Sequence, residues 1–471
     1  MLSVSGCRGI VGKSLTPETV SRFIGAAGRW LRSSGAGAAN PGRVIVAGDG
    51  RLGGAALRGL AAQTLALAGF EVVDIGVATT PTVGVAVLHH GAAGGVTLTA
   101  SHNPAEWNGV KVISSLGGAP GPADAAEIVR LYHAGEASWA TPAGIGAVRT
   151  DATAARVHVE RVLAALARCA DLEAIRARRF RVVLNSVNAS GAAGGRMLLE
   201  ELGCALTHMH ADTSGVFPHP PEPTADNLKG MSAAVAGAGA DIGFAQDPDA
   251  DRLAILDGAG RYIGEEYTLV LAARALIGAP AKGGGGGTTG SPVLVANLST
   301  SRMLDDVAAR FGARVQRSAV GEANVVDVMR RVRSPLGGEG NGGVIWPEIV
   351  PIRDSLGAMA LTLALMTRER ATLADLVADV PVYAIEKRKI ELKPGLTERA
   401  LRAAASMMTG PDVRIDTQDG VRLDFPVQGG AAWLHVRASN TEPILRLIAE
   451  APQAVQARRV LDDAEAAISA A

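Results

Sequence analysis

Three stretches of this chain repeat one grammar, and that repetition restricts the fold more than any other feature. RVIVAGDGRLGGAALRGLAAQTLALAGFEVVDIG, FRVVLNSVNASGAAGGRMLLEELGCALTHMH and SPVLVANLSTSRMLDDVAARFGARVQRSAVG each run from an apolar strand through a polar turn to an amphipathic helix, a glycine and a second strand. Gly69, Gly203 and Gly312 stand where the helices are expected to end, since glycine takes a left-handed backbone without steric cost. A strand, helix, strand unit needs a parallel or mixed sheet covered by helices. Three of them predict three consecutive similar α/β domains with mixed sheets. Their spacing is too irregular, and each unit too large, for a solenoid.

The 471 residues exceed the length at which a single hydrophobic core stops growing, about 250–300. The α/β domains are expected over residues 1–150, 151–257 and 258–371. The last hundred residues change character: VYAIEKRKIEL, a helix around ERALRAAASMM, three further strand-like runs and a final Ala-rich helix predict a smaller α+β domain over 372–471. The glycine run from Gly283 reads as a surface loop.

Lys+Arg equals Asp+Glu at 46 each, which argues against a nucleic-acid surface. Five Trp, four Tyr and seven Phe leave few rings for stacking bases. Cys7, Cys169 and Cys204 are far apart and odd in number, which suits free thiols in a reducing compartment. With no apolar run long enough to span a membrane, the expectation is a cytoplasmic protein without membrane or nucleic-acid partners.

Four loops carry chemistry. The first is TASHNPAEWNGVK, where Ser101, His102 and Lys111 surround one turn, and Lys111 is one of only seven lysines beside 39 arginines. A hydrolase nucleophile elbow needs glycine two positions either side of the serine, where this chain has Thr99 and Asn103. Taken alone, Ser101 reads as a helix-capping serine, and its company, His102 and Lys111, raises the functional reading. The second is DPDADR. Asp247, Asp249 and Asp251 repel one another unless a cation holds them, and oxygen-only ligands suit Mg²⁺ or Mn²⁺. Calcium of the EF-hand type is disfavoured, because Arg252 and Gly258 stand where that loop needs glycine and glutamate. The third is GGEGNGG, in which Glu339 can accept paired sugar hydroxyls beside Asn341. The fourth is RASNTEP: Arg437, Ser439, Asn440 and Thr441, with Arg446 close behind, supply the donors of a phosphate cradle. Together they point to metal-assisted phosphoryl transfer through the serine hydroxyl.

TASHNP, DPDADR, GEGNGG and RASNTEP, in that order, resemble the serine, metal, sugar and phosphate loops of the α-D-phosphohexomutases. SGCRGIVGKSLTPE and GDGRLGG also resemble that family's first-domain signatures, so the likeness covers the whole chain. It implies a heart-shaped, four-domain enzyme with one loop from each domain facing a central cleft. It implies that Ser101 is the phosphoserine, and that Asp247, Asp249, Asp251 and a phosphoserine oxygen hold one Mg²⁺. Arg8, His102 and Lys111 match catalytic positions beside the serine. Arg252, Glu339 and Asn341 match residues that address the sugar, and Arg437, Ser439, Asn440 and Thr441 those that hold the non-reacting phosphate. The implied reaction moves phosphate between O6 and O1 of a hexose phosphate through a 1,6-bisphosphate. Glucosamine phosphate is the expected substrate, with mannose or glucose phosphate as the alternative, in a monomer or homodimer.

The sequence departs from the family at three points. Gly343 stands where many relatives carry a histidine at the reacting centre, so that role falls to Lys111 or His102. Asn341 replaces a frequent serine, and Gly53 the usual serine of the first-domain signature. Two other readings fit the loops: a metal-dependent sugar phosphatase acting through Ser101, and a non-catalytic sugar-phosphate sensor.

Overall fold

The computed structural model describes residues 2–3, 6–279, 291–391, 396–438 and 444–470. The glycine run from Gly283, and Ser439, Asn440 and Thr441, lie outside them. Among the described residues the strands form four sheets.

The first three sheets share one four-strand pattern. A first strand lies inside the sheet: Asn40–Gly48, Arg181–Asn185 or Val293–Asn297. A second runs parallel on one side: Glu71–Val77, Ala205–Met209 or Arg314–Ser318. A third runs parallel on the other: Ala92–Leu98, Ile242–Gln246 or Gly337–Glu339. A fourth returns antiparallel beside the third: Trp107–Ser114, Leu253–Asp257 or Gly343–Ile345. The first sheet extends this pattern at both edges to seven strands.

The helices that link first to second strand end as the sequence predicts. Gly69, Gly203 and Gly312 follow the helix caps with φ of 84°, 73° and 67°.

One apolar cluster runs through all three α/β units. It joins Val83 and Val87 of helix Thr80–His90, Val159 and Val162 of helix Ala154–Cys169, and Leu361 and Leu365 of helix Ser355–Glu369. The last helix is buried continuously from Ser355 to Met366, as expected for a helix that is apolar all round. Continuity of this core holds the first three sheets, and therefore their loops, in a fixed relation. Helix Leu373–Ala378 adds Leu373 and Leu376 to the same core, and the fourth sheet begins at Ala384.

That fourth sheet is antiparallel throughout. One face packs Leu423, Leu434, Val436 and Leu447 beneath helices Thr397–Ser406 and Ala454–Ala470. Its opposite face is polar and meets the third unit. Arg422 donates to the carbonyl of Leu298, and Ser299 Oγ lies 2.9 Å from His435 Nδ1.

Candidate active site

The turn from third to fourth strand occurs in each α/β unit, and each of these turns carries one of the predicted loops. Residues 99–106 hold the serine, 247–252 the aspartates and 340–342 the apex of the glycine loop. The fourth predicted loop falls for the most part on residues 439–443, which lie outside the described residues.

Ser101 is buried and has φ of 50°, a conformation a non-glycine residue adopts only when its surroundings enforce it. The enforcing group is Arg51, in the GDGRLGG segment. Its guanidinium donates to the Ser101 carbonyl at 2.6 Å and to the Trp107 carbonyl at 2.6 Å, clamping both ends of the loop. Asp49 holds Arg51 at 2.8 Å and accepts from Thr99 Oγ1 at 2.7 Å, while the Ser101 amide donates to that hydroxyl at 2.9 Å.

Ser101 Oγ then lies 3.0 Å from Asp247 Oδ2 across the domain boundary. In an extended strand, alternate residues are spaced about 6–7 Å apart. Here Ala250, at φ of 52°, bends the loop so that a carboxylate oxygen from each aspartate lies within 4.8 Å of the others. Lys111 Nζ donates to Asp249 Oδ2 at 2.5 Å and to Asp251 Oδ2 at 3.2 Å. Thr80 Oγ1 donates to Asp249 Oδ2 at 2.8 Å. Oδ1 of Asp249 and Oδ1 of Asp251 are both buried with no hydrogen-bond partner. Two orphaned carboxylate oxygens beside a third carboxylate and a hydroxyl fit a hard divalent cation.

The cavity beside this centre has a volume of about 500 Å³, and Arg8, Lys111, Arg252, Glu339, Asn341 and Arg437 all line it. Arg8 Nη1 donates to Asn103 Oδ1 at 3.3 Å, on the serine loop. Asn341 Nδ2 lies 3.4 Å from Glu339 Oε2. Arg437 is held by Asp419 at 3.1 Å and faces Arg446 across the sheet in direct register. Like charges directly opposite destabilise a sheet unless an anion lies over them.

The sequence matches four consecutive family segments described as phosphoglucomutase/phosphomannomutase domains. These are alpha/beta/alpha domains I, II and III over residues 2–139, 158–260 and 265–383, and the C-terminal domain over 389–467. The chain belongs to the phosphoglucomutase/phosphomannomutase family. A phosphoglucomutase/phosphomannomutase of Thermococcus kodakarensis is 34% identical over 97% of this chain and 96% of its own. A Methanopyrus kandleri protein named "Probable phosphoglucosamine mutase" is also 34% identical, over 98% and 95%. A solved family structure from Burkholderia thailandensis superposes with a TM-score of 0.83 at 26% identity, covering all of this chain and 98% of that one.

As a member of this family the chain is a phosphohexomutase, an isomerase that relocates phosphate on a sugar. Ser101, His102, Lys111 and Arg8 converge with the three aspartates and with Arg252, Glu339, Asn341 and Arg437. Sequence reading missed Arg353. Its guanidinium reaches Asp251 Oδ2 at 2.5 Å, Glu339 Oε2 at 2.5 Å and Glu322 Oε2 at 3.1 Å. It also gave no part to Thr80, or to Asp49 and Arg51 individually. Gly343 offered the available signal for Arg353: a glycine in a strand marks a close approach by something else.

Charge in this family site is distributed by burial and partners. Burial, then Asp249 and Asp251, drives the Asp247 carboxyl well above its usual value. Burial alone would raise Asp249, but Lys111 outweighs it and holds this carboxylate down. Burial opposes the Lys111 ammonium, yet Asp249 and Asp251 raise its pKa overall. His102 Nδ1 lies 3.3 Å from Ser101 Oγ; burial, then Arg252 and Arg8, lower this imidazole to about 3, so it is neutral at physiological pH.

Proposed function

We propose that this enzyme interconverts the 6- and 1-phosphates of glucosamine, with Ser101 as the phosphoryl relay. The observation that carries the mechanism is the 3.0 Å approach of Ser101 Oγ to Asp247 within the aspartate triad. Asp247, Asp249 and Asp251, with a phosphoserine oxygen, would hold Mg²⁺, which supplies Lewis-acid neutralisation of charge on the transferring group.

The remaining steps belong to the chain's own residues. As the phosphoserine P–O bond breaks and the sugar P–O bond forms, Lys111 and Arg8 present fixed positive charge to the transferring oxygens. The sugar hydroxyl surrenders its proton to His102. A phosphoserine beside that imidazole adds about 1.5 to 2 negative charges, which shifts it back toward its ordinary basicity. Glu339 and Asn341 accept and donate to the sugar hydroxyls, with Arg252 at the same wall. Arg437 anchors the phosphate that is not reacting. The product of the first transfer, a 1,6-bisphosphate, turns over in the cleft and returns its other phosphate to Ser101. A phosphate anchor shared by both orientations lets one serine serve either end.

Glucosamine is favoured by the names of relatives such as those of Methanopyrus kandleri and Sulfurisphaera tokodaii, the latter a phosphoglucosamine/phosphogalactosamine mutase. The Thermococcus kodakarensis relative supports the alternative, mannose and glucose phosphates. The deciding assay supplies Mg²⁺, a trace of glucose 1,6-bisphosphate and, in parallel, the 6-phosphates of glucosamine, glucose, mannose and N-acetylglucosamine. The fastest formation of 1-phosphate is expected with glucosamine. Faster turnover of glucose or mannose would reverse the assignment, and release of free phosphate without isomer would point to a phosphatase.

A further inference from the structure

Gly343 starts the strand that pairs with Gly337–Glu339, directly opposite Glu339. No left-handed backbone requires a glycine at this position. Space does: a Cβ built at Gly343 would lie 2.2 Å from Arg353 Cδ and 3.0 Å from its Cγ. Such separations are far inside van der Waals contact, about 3.5–4.0 Å. Arg353 is bridged through its backbone to Ile345, and its side chain crosses back over Gly343 toward Glu339.

Its guanidinium then meets three carboxylates from two domains, Asp251 and Glu339 buried and Glu322 half-buried. Nη2 reaches Asp251 Oδ2 in the metal loop, Nη1 reaches Glu339 Oε2 in the sugar loop, and Nε reaches Glu322 Oε2, which also accepts from the Arg353 amide at 3.1 Å. Because Arg353 and Lys111 both donate to Oδ2 of Asp251, the carboxylate is turned with Oδ1 left without a hydrogen bond, 3.9 Å from Arg252 Nε. The two arms toward Asp251 and Glu339 are equal in length. A planar fork reaches the two through separate nitrogens held in one rigid plane, whereas an ammonium offers a single nitrogen for both.

We infer that Arg353 is a positioning residue that locks the cation cage of the second domain to the sugar clamp of the third, and that residue 343 is glycine to admit the Arg353 stem. The inference rests on the reading of Asp251 as a metal carboxylate and of Glu339 as a sugar ligand. It goes beyond that reading by coupling the two: orientation of the cage and orientation of the clamp are one mechanical event, set by a group that need not touch the transferring phosphoryl.

The test uses the full chain and two binding constants, neither of which depends on turnover. Mn²⁺, which takes the same oxygen ligands as Mg²⁺, is titrated calorimetrically into the sugar-free enzyme. Glucosamine 6-phosphate is titrated into the chelator-treated, metal-free enzyme. Arg353→Lys keeps the stem and charge but loses the fork. It is expected to weaken Mn²⁺ by about tenfold or more, the usual effect of losing a group that orients a metal ligand, and to weaken the sugar phosphate as well. Gly343→Ala is expected to reproduce both losses by displacing the stem. In an Arg353→Ala background, Gly343→Ala should add nothing further, because the clash has gone. A folded Arg353→Lys variant that retains either wild-type constant overturns the coupling. Additive losses in the double variant overturn the explanation of Gly343. If the wild-type enzyme itself fails to take up Mn²⁺, the metal reading of the triad falls, an outcome separate from both.

Discussion

Arg51 offers a way to separate the stability of the first domain from the positioning of its serine. The side chain is almost completely buried against Asp49, itself 1% exposed, and reaches the carbonyls of Ser101 and Trp107. Arg51→Met strands a buried carboxylate, a cost of about 3–5 kcal/mol. It also leaves two carbonyls without their donor, at about 1–3 kcal/mol for each that stays dry. Adding Asp49→Asn removes the stranded charge while its amide still serves the residue 51 backbone and Thr99, so the first cost is recovered and the second is not. Thermal midpoints should therefore fall steeply in Arg51→Met and recover substantially in the double variant. Phosphoryl uptake by Ser101 from labelled glucose 1,6-bisphosphate should behave otherwise. The left-handed backbone at Ser101 has lost its clamp in both variants, and a misplacement of about 1 Å is enough for a rate loss of about 10²-fold. Both variants are expected to be slow. A double variant that is labelled at the wild-type rate would refute the claim that Arg51 positions the serine.

Three further outcomes follow from the same geometry. Saturating Mg²⁺ at about a hundred times its dissociation constant should stabilise the enzyme by about 2.7 kcal/mol; Asp249→Asn should abolish that shift, and an equal melting temperature with and without chelator in the wild type would contradict the cage. Thr80→Val removes one hydroxyl from Asp249 Oδ2, so Mn²⁺ affinity should fall about tenfold, the value of a hydrogen bond to a charged group, and unchanged affinity would exclude a supporting role. His435 is lowered to about 4, by burial and by nearby Arg422 and Arg437 against the pull of Asp419. Above pH 6.5 it costs nothing; between pH 6.5 and 4 the unfolded chain takes up a proton that the folded imidazole refuses, so stability falls with acidification, on the order of 2 kcal/mol by pH 5. His435→Asn should flatten that part of a thermal-denaturation profile, and a slope unaltered by the substitution would rule out His435 as its source.

Much of the fold is written locally. An apolar run, a helical period and a glycine are adjacent in the chain, so the three α/β units and the left-handed Gly69, Gly203 and Gly312 can be read from sequence alone. The acidic loop is legible for a different reason: three carboxylates at alternate positions already conflict as a string, whatever the fold. Arg51 and Arg353 were illegible because nothing in their local chemistry distinguishes them from the other arginines. Their importance comes from distant partners: for Arg51 the carbonyls of Ser101 and Trp107, 50 and 56 residues away, and for Arg353 acids 14, 31 and 102 residues away. Such partners exist only after the chain has folded.

The placement of the loops has the same origin and explains why they converge. Each α/β unit sends its third strand outward beside its first and brings the fourth back antiparallel, so the turn between them opens at the carboxyl end of the parallel strands. Ligand sites of open α/β sheets favour this edge, where backbone groups run out of strand partners. With one continuous core fixing the three units together, the serine, metal and sugar loops become the same structural position repeated three times, beside a cavity lined by Lys111, Arg252 and Asn341. A hydroxyl, a cage of carboxylates and a glycine-rich clamp have no sequence likeness to one another. They meet because each replaces the others at an equivalent turn, and the ion pairs Lys111–Asp249 and Arg353–Asp251 close the gaps between those turns.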